Sequence, residues 1–402
     1  MMKQFRIVAV ALASVGLVST ALADGMEVTG NARFRMEQQT VGNGGQADQL
    51  ALSTEVKMKW TPDPKLTIFF APKFVKNAGA AAGTSGATTN TTLDVSQAYT
   101  MISPTDKISY TIGRYQMSYG EEVVIGSFNW NMVGRSFDGL KAHWTANDKF
   151  WLDVFYNKIT EVAANLSAPG TNQADTNFVG LYGGTKMAGP VSEVDLYYLV
   201  RQDKAITTGK ENEDRNHIGV RVKGAAGMFD YRAEYGTQGG KKLGADIKDA
   251  DSTTAEVGVK FGDTRVGVEY FNANKNYDQL YPSANKFIAG VNLFGRSNIN
   301  GIRGKVSHKF MEHFGAHVFY STLSRTDAAT AITNHAGTAY ATAGSDKEIG
   351  SDITVVLTCN KIKNLGWEAG YSMFSAGKYG ENITGVVEKN ATYGYVMANA
   401  SF

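Results

Sequence analysis

Cysteine is almost absent: Cys359 is the only one in 402 residues. A disulfide framework is therefore excluded, and an exported chain of this length needs another device to hold it together. Proline is scarce too, at 7 residues. Past the first two dozen residues no apolar run approaches the roughly 20 residues of a membrane-spanning helix, which excludes a helical membrane protein. Neither sign of charge dominates. Without Lys3 and Arg6 the 40 basic residues become 38, against 38 acidic ones, so any preference for charged partners must come from where charges sit. The six histidines (His143, His217, His308, His313, His317 and His335) show no metal-binding spacing. There is no GxSxG, Walker or dinucleotide loop, and no repetitive basic segment. These absences predict no catalysis, no cofactor, no metal and no nucleic-acid partner.

What is present begins with an address. Lys3 and Arg6 form a short positive region, Ile7 to Val18 an apolar one, and Ala21-Leu22-Ala23 a small-x-small cleavage site. The expected organisation is a signal peptide over residues 1–23 and a single domain over 24–402.

That domain is rich in glycine (44), phenylalanine (20) and tyrosine (19), a composition that favours strands. Period-two alternation confirms the direction. Val28, Gly30, Ala32, Phe34 and Met36 oppose Glu27, Thr29, Asn31, Arg33, Arg35 and Glu37. Leu50, Leu52, Val56, Met58 and Trp60 oppose Gln49, Ser53, Glu55, Lys57 and Lys59. The pattern returns around Ile218–Val222, Phe229–Tyr235, Val257–Phe261, Val266–Tyr270 and Leu365–Met373. A helix, with its period of 3.6, cannot separate polarity in this way.

Alternation alone also suits a sheet with one wet face, and the connections decide. Short turns at Thr61–Pro64, Ser103–Asp106, Thr145–Asp148, Gly189–Pro190, Gly224–Gly227, Gly262–Thr264, Met311–His313 and Lys361–Asn364 alternate with nine longer polar loops, the first at Val41–Gln46. That pattern predicts an all-β fold: a transmembrane antiparallel β-barrel of about 18 strands in a bacterial outer membrane, with short periplasmic turns and long outer loops. Closure would also remove the edges of an open sheet. Trp60, Trp144, Trp151 and Trp367 lie near inner turns and are expected to form an interfacial girdle. The last strand ends on Phe402 and resembles the terminal strand recognised by the barrel-assembly machinery. The expected partners are therefore that machinery, outer-membrane lipid and a small anionic solute or polysaccharide.

Three stretches carry a more specific likeness. Gly113–Glu122 with Gly126–Gly139, then Tyr277–Ile299, then Glu348–Tyr379 resemble, in order, the signature of the bacterial alginate-export family of outer-membrane proteins. The sequence departs from that pattern at Asn285, where the family usually has His, and at Asn292, where it usually has Asp. The resemblance implies an eighteen-stranded, porin-like barrel and a passive channel. Its solutes would be anions or uronate-type oligosaccharides, passing through a basic constriction. It also implies that Arg114 and Arg135 match pore-lining arginines.

The polar faces nominate further cations by a separate route. A guanidinium facing lipid at midplane costs roughly 2–4 kcal/mol, so Arg33, Arg35, Arg221, Arg232, Arg265 and Arg303, with Lys57, Lys59 and Lys305, should point into the lumen. Arg114 falls in phase with Ile108, Tyr110 and Ile112, and Gly113 suggests a bulge that turns it inward. The alternative for all of these cations is that they pair with Glu55, Asp138, Glu234 and Glu269 and merely fill the lumen. A general diffusion porin with weak selectivity, or a plugged structural outer-membrane protein, would follow from that. Tyr277–Ile299, rich in Phe, Tyr and Leu, is expected to fold over or into the mouth of the barrel.

Overall fold

A computed structural model describes residues 25–41, 45–79, 90–160, 174–205, 212–283, 288, 290–291, 293–334, 337–340, 345–383 and 390–402. The expected signal segment, together with Asn285 and Asn292, lies outside the described residues.

The chain builds β1 (Met26–Val41), β2 (Gly45–Asp63), β3 (Leu66–Gly79), β4 (Asn90–Thr105), β5 (Ile108–Tyr115), β6 (Phe137–Thr145), β7 (Phe150–Thr160), β8 (Ala174–Lys186), β9 (Val191–Ala205), β10 (Glu213–Ala226), β11 (Phe229–Lys242), β12 (Ala245–Asp246), β13 (Asp251–Phe261), β14 (Thr264–Ala273), β15 (Ile299–Met311), β16 (Phe314–Ser324), β17 (Glu348–Ile362), β18 (Leu365–Ala376) and β19 (Asn390–Ser401). Each long strand pairs antiparallel with its neighbours in the chain, and β1 pairs with β19, from Asn31 opposite Ser401 to Thr40 opposite Thr392. The two-residue β12 pairs only with the end of β11. Eighteen strands thus close an antiparallel barrel, which leaves no open edge.

Side-chain parity explains why this sequence closes in this sense. Val257, Val266, Val268, Tyr270, Ile302 and Val306 point outward and are exposed, while Glu256, Glu269 and Arg303 on the same strands are buried inside. A belt of exposed apolar side chains is unstable against water and stable against lipid. Trp60, Trp144 and Trp367 take the expected outward girdle positions. Trp151 does not. It stacks on Tyr182 inside the barrel, with ring centroids 5.8 Å apart.

The strands run further into the inner turns than alternation predicts. Pairing continues to Asp63 opposite Leu66 and Ala226 opposite Phe229, so these turns hold only two residues between paired positions. On the outer side, β5 and β6 stop early. The chain between them, Gln116–Ser136, leaves the wall and enters the lumen. Its apolar residues Met117, Val123, Val124, Ile125 and Met132 are all buried. The first four pack with Phe137, Phe155, Phe178, Tyr182 and Tyr197, which face inward from β6 to β9, while Met132 packs on Ala51 of β2 and Val75 of β3. Burying one large apolar side chain is worth about 1.5–3 kcal/mol. The core of this protein therefore lies inside the barrel, where the inserted loop packs on β6 to β9 and the apolar cluster continues through Phe271, Leu323, Phe374 and Tyr393 on the remaining strands.

Candidate functional site: a strapped, cation-lined lumen

The inserted loop crosses the lumen as a strap. Near its start, the Tyr119 hydroxyl donates to Asp153 on β7 at 2.6 Å, and its ring stacks on Tyr182 at 4.2 Å. Glu121 accepts two hydrogen bonds from Arg221 on β10, at 2.5 and 2.7 Å. The strap then reaches the opposite wall. Main-chain oxygens of Asn129 and Trp130 accept from Arg33 and Arg35 on β1. That of Met132 accepts from Ser53 on β2 at 3.2 Å, and that of Val133 from Lys73 on β3 at 3.0 Å. Ser136 closes the crossing by donating to the Ser96 carbonyl on β4 at 2.5 Å.

A second loop, between β14 and β15, meets the strap. Gly126 N donates to the Tyr281 carbonyl at 2.8 Å and Tyr281 N to the Val124 carbonyl at 3.0 Å, a short parallel bridge between two loops. Glycine is required at 126, because a Cβ there would lie 2.6 Å from Ser283 Oγ and 2.7 Å from Glu122 Cβ. This second loop is itself anchored on three sides. Asp278 accepts from Arg201 on β9 at 2.9 Å, Gly290 N donates to Asp352 on β17 at 3.1 Å, and Arg296 donates to Thr254 on β13 at 2.6 Å. Burial alone would raise the Asp278 carboxyl, but Arg201 and Arg215 hold it below its ordinary range. The described residues of Tyr277–Ile299 thus lie across the outer mouth, touching walls on opposite sides.

The predicted cations divide into three groups. Arg33, Arg35, Lys57, Lys59, Arg221, Arg232, Arg265, Arg303 and Lys305 share the inward parity of buried lumen residues. Arg221 contacts Glu121, Glu193 and Asp195. Arg232 contacts Glu256 at 2.6 Å and Glu269 at 2.9 Å. Lys305 contacts the same two glutamates at 2.9 and 2.5 Å. Arg265 pairs with Asp230 and Glu256, and Arg303 donates to Ser321 Oγ at 3.1 Å.

Arg135 belongs to the strap rather than to the wall. Its guanidinium donates to the carbonyls of Gly126 and Pro282, at 3.1 and 2.8 Å, and so pins the two loops together. It lies 5.7 Å from the Tyr281 ring centre. Burial lowers it to about 10, so it stays charged at neutral pH.

Arg114 corrects the sequence expectation. The register passes through Gly113 without a shift on either side, so there is no bulge to turn Arg114 inward. It keeps the outward phase of Ile112 and Leu140, and pairs with Asp138 at 2.7 Å and Asp94 at 3.3 Å. These residues sit where β5 ends and the wall steps down.

Alternation missed Lys73, Arg201, Arg215 and Arg296. Lys73 sits in a strand that is apolar on both faces, with Phe69, Ala71 and Val75 inward and Ile68, Phe70 and Phe74 outward, so parity cannot be read there. Arg201 and Arg215 flank a loop boundary. Arg296 lies in a loop whose anchoring has no local signal.

Among the described residues, cavities lie on either side of the crossing loops, and two of them are lined by charge. The outer one, about 670 Å³, is lined by Arg201, Arg215, Lys242, Lys275 and Arg296 against Glu213, Asp246 and Asp278. The inner one, about 560 Å³, lies towards the short turns.

A closed barrel with a lipid-facing apolar belt, short inner turns and a loop-strapped polar lumen is an outer-membrane channel of the porin class. The chain belongs to the alginate-export family, whose model matches residues 27–393. Solved structures share the fold. OccAB4 of Acinetobacter baumannii superposes with a TM-score of 0.66 at 12% identity, covering 94% of this chain and 98% of that one. OccK5 (OpdH) of Pseudomonas aeruginosa gives 0.65 at 10%, covering 95% and 99%. OccK2 (OpdF) of Pseudomonas aeruginosa, solved in complex with glucuronate, gives 0.64 at 10%, covering 95% and 99%. No curated protein matches this sequence.

Proposed function

We propose that this chain is a passive channel favouring small anionic solutes, with uronate-type sugar acids and their oligosaccharides as the preferred class. The observation that carries the reading is the cation excess in both cavities. The outer one has five cations against three carboxylates, and the inner one has Arg33, Lys57, Lys73 and Lys363 against Glu55 alone. A lumen of this kind raises the local concentration of anions and lowers their barrier to entry. The glucuronate held by OccK2, a barrel of the same fold, supports this solute class. No energy-coupling motif is present in the sequence, so flow follows the gradient. The apolar belt seats the barrel in lipid.

Single-channel recording in a planar bilayer under a salt gradient tests this. The expected result is a reversal potential of anionic sign and a conductance reduced by added glucuronate. A second reading has its own support: Arg221, Arg232, Arg265 and Lys305 are each paired with carboxylates. Conductance without charge preference would mean a general diffusion porin. A correctly folded barrel without conductance would mean a plugged structural protein.

A further inference from the structure

We propose that the outward face of β5 to β8 is a self-association surface, on which a second copy of this chain docks about a two-fold axis along the membrane normal. The height of the lipid-facing wall is the first observation. On β2 the outward residues from Trp60 to Leu50 carry no charge, and the first charge, Asp48, stands twelve positions from the tryptophan. On β6 the outward run holds only Trp144, Ala142 and Leu140, and Asp138 follows six positions from Trp144. On β5 Ile108, Tyr110 and Ile112 lead to Arg114 in the same way. At about 3.3 Å per residue and a tilt near 40°, six positions rise about 15 Å and twelve about 30 Å, against an apolar band about 25 Å tall.

The wall is low over β5 and β6 because the chain leaves it there to cross the lumen as the strap, so the segment between the two strands adds nothing above them. Acyl chains of ordinary length would be laid against ion pairs. Arg114 meets Asp138 at 2.7 Å, and Lys158 on β7 lies 3.9 Å from Asp175 on β8. Charges facing hydrocarbon are costly, and proteins cover them or bring water to them. A protein surface of the same height and opposite charge would cover these.

The order of the charges specifies that surface. From β5 to β8 the outward signs read plus at Arg114, minus at Asp138, plus at Lys158 and minus at Asp175. A two-fold axis between β6 and β7 reverses this order on the facing copy. Asp138 then meets the partner's Lys158, Lys158 the partner's Asp138, Arg114 the partner's Asp175 and Asp175 the partner's Arg114. Every facing pair is opposite in sign, and the contacts are mutual, as an isologous interface requires. Both barrels are convex, so the approach is closest at Asp138 and Lys158. Ile112, Leu140, Val154 and Tyr156, all exposed on the same face, supply apolar area below the charged strip. A foreign partner would have to reproduce the alternation, whereas a second copy already carries it.

The test is the mass of the full chain in mild detergent, read by light scattering, with chemical cross-linking in phospholipid vesicles as a second readout. The expected result is a two-chain particle. Asp138→Lys and Lys158→Asp each set like charges against each other at the axis, and each should weaken self-association at least about tenfold. Mixed together, the two variants should pair again, because each chain then presents the charge that the other lacks. Mixing would not rescue a substitution that merely destabilises the barrel. Heat-modifiable migration reports whether each variant folds. Should one fail, Leu140→Cys chains mixed with Tyr156→Cys chains, both carrying Cys359→Ser, should form an interchain disulfide under oxidant more readily than either forms alone. A single-chain particle that also fails to cross-link in vesicles would overturn the proposal and leave locally thinned lipid over β5 and β6. A two-chain particle untouched by either charge variant, or a particle of three chains, would overturn this surface.

Discussion

The wall formed by β1 to β3 and the wall formed by β11 to β15 carry cations on the same inward parity, and the two treat them differently. On the second wall Arg232, Arg265, Arg303 and Lys305 surround Asp230, Glu256 and Glu269, and charge is nearly balanced within a few ångströms. On the first wall, Arg33 and Lys73 are held by main-chain oxygens of the strap. Arg35 is intermediate: it pairs with Glu37 at 2.8 Å and lies 4.6 Å from the centre of the Trp130 ring. Two unit charges 4 Å apart interact by about 4 kcal/mol at an effective dielectric near 20, so the presence or absence of a carboxylate outweighs small differences in position. An inward arginine contributes field to a pore only when its partner is neutral. The β11–β15 wall stiffens the lumen, and the β1–β3 wall charges it.

The sharpest way to break this contrast is at Arg221, where the strap and the carboxylate-rich side meet. Arg221 is 3% exposed and satisfies Glu121, Glu193 and Asp195 together. Arg221→Met leaves three carboxylates without the cation that they share. Breaking a buried pair from one side costs about 3–5 kcal/mol, and the strap loses its hold on β10. The expected outcome is a lower midpoint in urea, read by heat-modifiable migration, with larger and noisier single-channel conductance. Acid acts on the same contact more gently. Burial alone would raise the Glu121 carboxyl, but Arg221 keeps it below the ordinary value of 4.5. The anchor is therefore fully present above that value and is lost as pH falls through the depressed one.

That anchor also marks the limit of what the sequence discloses. The barrel was legible because lipid and lumen impose a strict period of two, and Arg33, Arg221, Arg232 and Arg303 follow it. Partners were not, because they come from strands and loops far apart in the chain. Glu121 is 100 positions from Arg221, and Asn129 is 96 from Arg33. The strap left one local signal, the apolar run Val123-Val124-Ile125 inside a polar loop, which calls for burial. Lys73 left none, since β3 is apolar on both faces. At Gly113 a glycine with positive φ looked like a bulge, yet the ladder continued through it unshifted.

A second variant sharpens the comparison by making the balanced wall resemble the charged one. Glu256 accepts from Lys305 and lies within 2.9 Å of Arg232 and Arg265. Glu256→Gln keeps the shape and removes one negative charge, leaving those cations partly uncompensated. Weaker hydrogen bonds to a neutral acceptor lower stability by about 1–3 kcal/mol. The anion-to-cation permeability ratio, measured from the reversal potential, should rise. An unchanged ratio would show that solutes do not pass along β11 to β15, and would confine the effective path to the β1–β3 side.

The smallest effect is expected where the family resemblance pointed most directly. Arg114 stands outward, with 37% of its side chain exposed, between Asp94 and Asp138. An ion pair this open contributes no more than about 1 kcal/mol, and it lies on the opposite side of the wall from both cavities. Arg114→Ala should leave reversal potential, conductance and glucuronate blockade unchanged, with only a slight fall in the urea midpoint. Arg135→Ala makes the internal contrast, because it removes the bond to Pro282 that pins the strap to the outer loop and the bond to Gly126 that braces the strap itself. If Arg114→Ala changed selectivity while Arg135→Ala did not, the unshifted register at Gly113 would be the wrong guide to the lumen at that strand.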